Sequence, residues 1–227
     1  NFILSDMLAT GVSFDTSLKR AIDLGYAEAD PTFDIEGIDA AHKLCLMASL
    51  AFGVQIQFKN VFVEGISTLS EKDVRYAGEF GYVIKLLGIT KKSERGIELR
   101  VHPTLIPSNS SLANVNGAMN AVLVKGDAVG PTMYYGAGAG SEPTASAVIA
   151  DLLDIARVIN LDVENFVPYL GFKEDTLSNE IALKMGKVST RYYLRIKVED
   201  KPGVIAEISG VLATLSISIE AMLQREE

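Results

Sequence analysis

The chain of 227 residues carries a formal charge of −8, is 48% hydrophobic and 22% charged, and holds two histidines and one cysteine. That length and balance suit a protein with a sizeable core and exclude a disordered chain, while the acidic surplus argues against nucleic acid or an anionic membrane as partner. His42, His102 and a lone Cys45 exclude a disulfide framework and a structural zinc cluster, so a reduced, cytoplasmic setting is expected.

In chain order, residues 2–9 and 15–24 carry helical spacing, with Asp15 or Thr16 as N-cap and Gly25 as the stop. An acidic loop spans 26–37, and a helix runs from Ile38 to Phe52, closed by Gly53. Residues 68–74 read as a capped short turn and 80–87 as an alternating run. A strand is predicted over 96–103, with Ile97, Leu99 and Val101 on one face, and two more over 121–125 and 132–135. Residues 143–159 form a long helix with Ala145, Val148, Leu152, Ile155 and Ile159 on one stripe. From Asn160 to about Lys187 the pattern loosens, giving expected divisions of 1–160, a connector over 161–189, and 190–227. Residues 192–198 then alternate as a strand, Asp200-Lys201-Pro202-Gly203 turns the chain, 204–215 is amphipathic, and 217–223 reads as a second strand.

Strand, helix, strand is the opening half of a ferredoxin-like module. The expected fold class is therefore α/β (α+β): a mixed β-sheet flanked by helices, followed by that half module. No run approaches the roughly 18 apolar residues that span a bilayer, and no basic-then-apolar leader is read. The opening Asn-Phe-Ile-Leu and the closing Gln-Arg-Glu-Glu, directly after an apolar pattern, lead us to expect a fragment of a longer polypeptide.

Chemistry is most concentrated between Gly25 and Gly53. Glu28, Asp30, Asp34, Glu36 and Asp39 crowd a loop punctuated by Pro31 and Gly37, and Lys43 is the strong cation one turn inside the helix that follows. Asp39 and Lys43 are four apart and share a face. Spacing alone leaves two readings. One is an exposed helical ion pair worth a few tenths of a kcal/mol. The other is a lysine at the lip of an apolar helix (Leu44, Leu46, Met47, Leu50, Phe52), half-withdrawn from water and suited to proton transfer. The carboxylates are either solvated surface or partners for the ammonium group of an amino-acid substrate. Their order lacks the pattern of a calcium-binding EF-hand.

Gly136, Gly138 and Gly140, with Pro143 after them, lie between a strand and a helix N-terminus, where backbone approaches an anion or a ring closely. Their spacing is not the dinucleotide fingerprint, and a tight turn needing positive φ is the alternative. Cys45, mid-helix, reads as an inert buried thiol, and His42 as structural or exposed. The polar stretches 108–111 and 114–117 read as turns, with a subunit contact as the alternative.

Residues 25–43 match without a gap the pattern Gly-Tyr-x-Glu-x-Asp-Pro, then Asp, then Gly-x-Asp-Ala-x-x-Lys. That segment closely resembles the substrate-binding region of the homoserine dehydrogenase family. Gly-x-Gly-Ala-Gly over 136–140 and Pro-Thr-Ala-x-Ala-Val over 143–148 resemble the same family. Leu194-Arg195-Ile196-Lys197-Val198, Asp200-x-Pro202-Gly203-Val204-Ile205-Ala206 and Ile217-Ser218-Ile219 resemble half of an ACT domain, with Ser216 standing where such domains often carry Gly.

The resemblance implies an oxidoreductase interconverting L-aspartate 4-semialdehyde and L-homoserine with NADP or NAD. It implies that Glu28 binds the substrate amino group, that Asp39 holds substrate and orients Lys43, that Lys43 delivers the proton, and that Asp34 supports them. It also implies that Gly140, with Gly138, faces the nicotinamide, that threonine is a possible effector, and that the protein is a homo-oligomer, dimer or tetramer. The family's N-terminal Rossmann half, with its metal site and a further lysine, is not read in this sequence, so no metal ligand is assigned and the chain alone is expected to be inactive. Two competing readings are a non-catalytic amino-acid-binding regulatory module and a purely structural dimerisation piece.

Overall fold

A computed structural model describes residues 1–159, 167–168 and 170–225. The chain divides into two compact units, Asn1–Thr190 and Arg191–Glu227. The first opens with helices α1 (Phe2–Thr10) and α2 (Phe14–Asp23). Ser13 caps α2 by accepting the Thr16 N–H, and Gly11 ends α1 in the left-handed region at φ 67°. The acidic segment is partly ordered as a single helical turn, α3 (Thr32–Ile35), which sequence spacing did not predict.

Helix α4 (Ile38–Phe52) buries Ala41, Leu44, Cys45, Ala48 and Ser49, a stripe at i, i+3, i+4, i+7 and i+8. It is entered through Gly37 at φ 76° and left through Gly53 at φ 62°. After it come a short strand β1 (Phe62–Val63) and helix α5 (Glu71–Glu79). The expected short turn at 68–74 is in fact the start of α5. Ser70 and Asp73 cap each other's backbone in a reciprocal box, which nucleates a helix through the polar stretch to Glu79.

Strands β2 (Tyr82–Ser93) and β3 (Gly96–Pro107) form a long antiparallel hairpin, and β1 adds to β3 in parallel with Phe62 opposite Arg100, giving the order β1-β3-β2. Both strands outrun their predicted lengths. Ile97, Leu99 and Val101 alternate onto the face that receives Ala41, Leu44 and Ala48 of α4. Ile84 of β2 joins Ile3, Leu4, Met7, Ala21, Val74 and Ala77 in a second cluster.

A separate hairpin, β4 (Met119–Gly126) with β5 (Gly130–Ala137), leads into helix α6 (Ser141–Ile159). The predicted stripe of α6 is present in the sequence but uncovered here: Val148, Leu152 and Ile155 are 53%, 59% and 47% exposed. The first residues of the expected connector, 160–166 and 169, lie outside the described residues. The described remainder belongs to the first unit and is tied back to it: Ser178 bonds to Gly53 and Gln55, and the Leu183 N–H donates to Ile97 O at 2.7 Å.

The second unit contains helix α7 (Val204–Thr214). The strands predicted over 192–198 and 217–223 are not paired as strands among the described residues. In a split strand–helix–strand unit these two flank a third strand rather than each other, so each lacks a ladder neighbour within 191–225. Arg191 and Glu220 join the two segments by an ion pair at 3.1 Å.

Gly65 sets where the acidic segment ends. The Ile66 N–H donates to Ile35 O at 2.8 Å, and a Cβ at Gly65 would stand 2.6 Å from that same carbonyl and 2.7 Å from the Glu36 Cα. Gly65→Ala is expected to push the 35–37 turn off the sheet and cost about 1–3 kcal/mol. Urea unfolding of the purified variant measures it.

Candidate active site

Lys43 forms an ion pair with Asp39 across one turn of α4. The lysine side chain is 65% exposed and the aspartate 37%, which corrects the expectation of a lysine half-withdrawn from water. Of the apolar residues after Lys43, Leu46 and Leu50 share its side of the helix but do not cover it. Leu44 and Cys45 turn into the sheet, while Leu46 and Leu50 are themselves 47% and 49% exposed.

Asp34, at the end of α3, has its carboxyl pKa pushed up, first by withdrawal from water and then by the negative charges of Asp39 and Glu28. Lys43 pulls it part of the way back. Four residues singled out in the sequence, Glu28, Asp34, Asp39 and Lys43, thus share one electrostatic neighbourhood in which carboxylates outnumber the cation.

Asp30 is not of this group. It accepts the Thr32 hydroxyl at 2.6 Å and the Thr32 N–H at 3.1 Å, which hold its pKa down, and it shapes the entry to α3. Cys45 is buried, and burial pushes its thiol pKa up while the Gln57 backbone draws it partly back, as an inert thiol requires. The His42 ring packs edge-on against Phe33 at 5.5 Å and Phe58 at 4.2 Å, bracing α3 against α4. Among the described residues no three His, Cys, Asp or Glu side chains are grouped to hold a metal ion, and no helix is long and apolar enough to cross a membrane.

Gly138 and Gly140 lie in the loop between β5 and α6. A Cβ on Gly138 would sit 2.7 Å from the Asn120 Cγ, so a side chain there would have to push that exposed amide aside. Gly140 has φ 118°, which L side chains rarely adopt, and its carbonyl accepts the Thr144 N–H at 3.2 Å in the first turn of α6.

Sequence reasoning passed over Asn1 and Lys85. The Asn1 Nδ2 donates to Val115 O at 3.0 Å and Met119 O at 2.8 Å. Lys85 is 5% exposed, and its Nζ donates to Val115 O at 2.6 Å and Asn116 Oδ1 at 2.8 Å. Burial lowers its pKa. The signal was a lone lysine between Val83-Ile84 and Leu86-Leu87 in a strand. The polar stretches 108–111 and 114–117 are turns, and the second of them receives these bonds.

The homoserine dehydrogenase family model matches residues 1–153, and the ACT domain model matches residues 192–227. Homoserine dehydrogenase of Pseudomonas aeruginosa is 56% identical over 226 residues, which is 100% of this chain and 52% of that protein. The Helicobacter pylori protein of the same name is 48% identical, again over 100% of this chain and 52% of its own length. The crystal structure of a homoserine dehydrogenase from Thiobacillus denitrificans superposes with a TM-score of 0.88 at 57% identity, covering 99% of this chain and 52% of that one. A hyperthermophilic archaeal homoserine dehydrogenase in complex with NADPH is more distant, with a TM-score of 0.54, 26% identity, and coverage of 69% of this chain and 44% of that one. This chain therefore spans about half the length of the relatives it matches, and it belongs to the homoserine dehydrogenase family.

Proposed function

We propose that the polypeptide carrying this chain interconverts L-aspartate 4-semialdehyde and L-homoserine with NADP or NAD, in the biosynthesis of threonine, methionine and isoleucine. The observation that carries this reading is the Asp39–Lys43 pair standing among the charges of Asp34 and Glu28. An exposed i,i+4 pair adds little to the fold, so its placement beside two further carboxylates is better explained by chemistry than by stability.

Each residue has a physical task. Glu28 and Asp34 offer anionic partners to the substrate ammonium group. Asp39 fixes the Lys43 side chain through the ion pair. The Lys43 Nζ gives a proton to the carbonyl oxygen as it gains negative charge, and in the reverse direction takes the hydroxyl proton. Leu46 and Leu50 border the cation along the helix, so closing over this border withdraws ammonium and apolar surface from water together.

The glycine-rich loop fits the nicotinamide end of a cofactor, because Gly138 and Gly140 present bare backbone where a side chain would have to displace the Asn120 amide or adopt a rare positive φ. When bound, the nicotinamide supplies or accepts the hydride. NADPH in the archaeal relative's complex supports a nicotinamide cofactor.

Assembly and regulation follow the same reading. The β4–β5 ribbon leaves Leu123, Val124, Tyr134 and Tyr135 at 46%, 47%, 70% and 55% exposed. A two-stranded ribbon with apolar residues on both faces is marginal alone, which supports a homo-oligomer. In the second unit Ile196, Val198, Val204, Ile208 and Val211 line a cleft beside Lys201, and this supports threonine as a small amino-acid effector there.

In the full-length protein Lys43→Ala is expected to lower kcat for homoserine oxidation by about 10²–10⁴-fold and to leave the thermal midpoint almost unchanged. Loss of less than tenfold would remove Lys43 from the chemistry and favour a regulatory module. Asp34→Asn should raise KM for homoserine and also raise Tm near neutral pH. The folded-state pKa of Asp34 lies above its unfolded value, so the native fold carries a cost when the group is ionised. That cost vanishes below the unfolded pKa and is fully present above the folded one. The Tm gain is therefore expected to shrink as pH falls through the acid range, as a melting series across pH measures. Threonine added to full-length protein should inhibit it and raise its melting point, and a titration that moves neither rejects the effector.

A further inference from the structure

We propose that Asn1 is a positioning residue for the reaction proposed above: its carboxamide, backed by the Lys85 ammonium, is the joint that holds the acidic segment and the glycine-rich loop in fixed register. The inference rests on that functional reading, but the joint itself is a matter of hydrogen bonds and packing.

On the side of the acidic segment, the Phe2 ring packs on Tyr26 with centroids 5.2 Å apart, two residues before Glu28. Ala27 and Ile35 pack on the same cluster as Ile3 and Leu4 of α1. The first turn of α1 is thus fastened to both ends of the carboxylate-bearing stretch.

On the other side, the Asn1 Nδ2 is shared among the carbonyls of Val115 at 3.0 Å, Gly117 at 3.3 Å and Met119 at 2.8 Å. These carbonyls gather the turn that feeds β4. Met119 is the first residue of β4, and the next residue, Asn120, is the side chain against which Gly138 is pressed. The path from the carboxylates to the glycine-rich loop therefore runs through one amide group.

Lys85 fixes that amide's orientation. The three N–H donors of its buried ammonium are shared among Asn1 Oδ1 at 3.2 Å, Ser5 Oγ at 3.4 Å, Val115 O at 2.6 Å and Asn116 Oδ1 at 2.8 Å, all neutral oxygens. The carboxamide oxygen then faces the cation and its NH2 faces the carbonyls. No other side chain of this size supplies an acceptor and two donors in one plane. Aspartate would turn an acceptor toward three carbonyls, and leucine would leave the ammonium short of a partner.

Hydride and proton transfer demand near-contact geometry, and a displacement of about 1 Å costs on the order of a hundredfold in rate. A joint that sets the spacing between the two loops should therefore act on kcat more than on substrate binding.

The test uses the full-length protein, with homoserine and NAD(P) as the probes and hydrogen exchange as a readout independent of turnover. Wild-type turnover of homoserine decides the functional reading, and comparison of variants with wild type decides the joint. Asn1→Ala is expected to lower kcat by about tenfold or more, with KM for homoserine moving far less. It should also speed amide exchange over 136–141, far in sequence from the substitution. Gly138→Ala should lose activity through the clash with Asn120, and Asn120→Gly in the same chain should restore part of it. If Asn1→Ala yields no folded protein, the Gly138→Ala and Asn120→Gly pair decides, since Asn120 is exposed. Unchanged exchange together with unchanged kcat in Asn1→Ala overturns the proposal, as does a double variant no better than Gly138→Ala alone. Should wild type not turn over homoserine, the exchange comparison still decides the joint.

Discussion

The seam between α4 and β3 governs everything this chain offers chemically. Ala41, Leu44 and Ala48 are buried on Ile97, Leu99 and Val101, and each large apolar side chain so buried contributes about 1.5–3 kcal/mol. The small residues in the helix stripe let it lie close to the sheet, where Leu44 packs over Gly88 of β2. Such a seam fixes the rotation of α4 about its axis. Asp39 and Lys43 are held at the exposed edge by that rotation, because an ion pair open to solvent is too weak to orient a helix by itself. Gly37 and Gly65 extend the constraint to the acidic turn, since side chains at either would strike Val101 or the 35–36 backbone.

What the sequence disclosed followed from periodicity and from chemistry that is local in the chain. Helix α4 with its glycine boundaries, the β3 face of Ile97, Leu99 and Val101, and the pairing of Asp39 with Lys43 each need only neighbours within a few residues. The family match and the α/β character followed from motifs of the same local kind. Helix α5 was shortened because Arg75, Gly78 and Glu79 dilute its apolar pattern, and only the Ser70–Asp73 box carries it through. The strands of the second unit were misjudged for a different reason. Alternation shows that a segment suits a sheet, but pairing needs a partner strand beside it. Solvent exposure of Lys43 was likewise illegible, because Leu46 and Leu50 share its side of the helix yet are themselves about half exposed, and spacing shows a shared face without showing what covers it.

Asn1 and Lys85 mark the deeper limit of a one-dimensional reading. The bond between them joins positions 84 residues apart along the chain, and no periodicity encodes such a pairing. What the sequence did hold was an anomaly, a lysine inside an apolar strand, whose burial obliges it to find oxygen partners. A strand lysine flanked on both sides by aliphatic pairs is better treated as a demand for acceptors elsewhere than as a solvated residue that breaks the pattern.

The electrostatics of the acidic cluster bear on why the site is arranged as it is. Asp34 is disfavoured as an anion by its surroundings, and its carboxylate neighbours Asp39 and Glu28 make matters worse. A fold selected only for stability would relieve that repulsion with a neutral residue. Keeping three acids against one lysine leaves an unmet demand for positive charge, which on the proposed reading the ammonium group of an amino acid would meet. On that reading the same cation would relieve Asp34 and leave Asp39 free to hold Lys43, so that occupation of the site and alignment of the proposed proton donor would be coupled through one charge balance. Lys43 itself must stay open until then. Sealing it in advance would impose a desolvation cost on an ion pair that contributes almost nothing to the fold, whereas covering it with substrate spends binding energy at the step where a dry ammonium is useful.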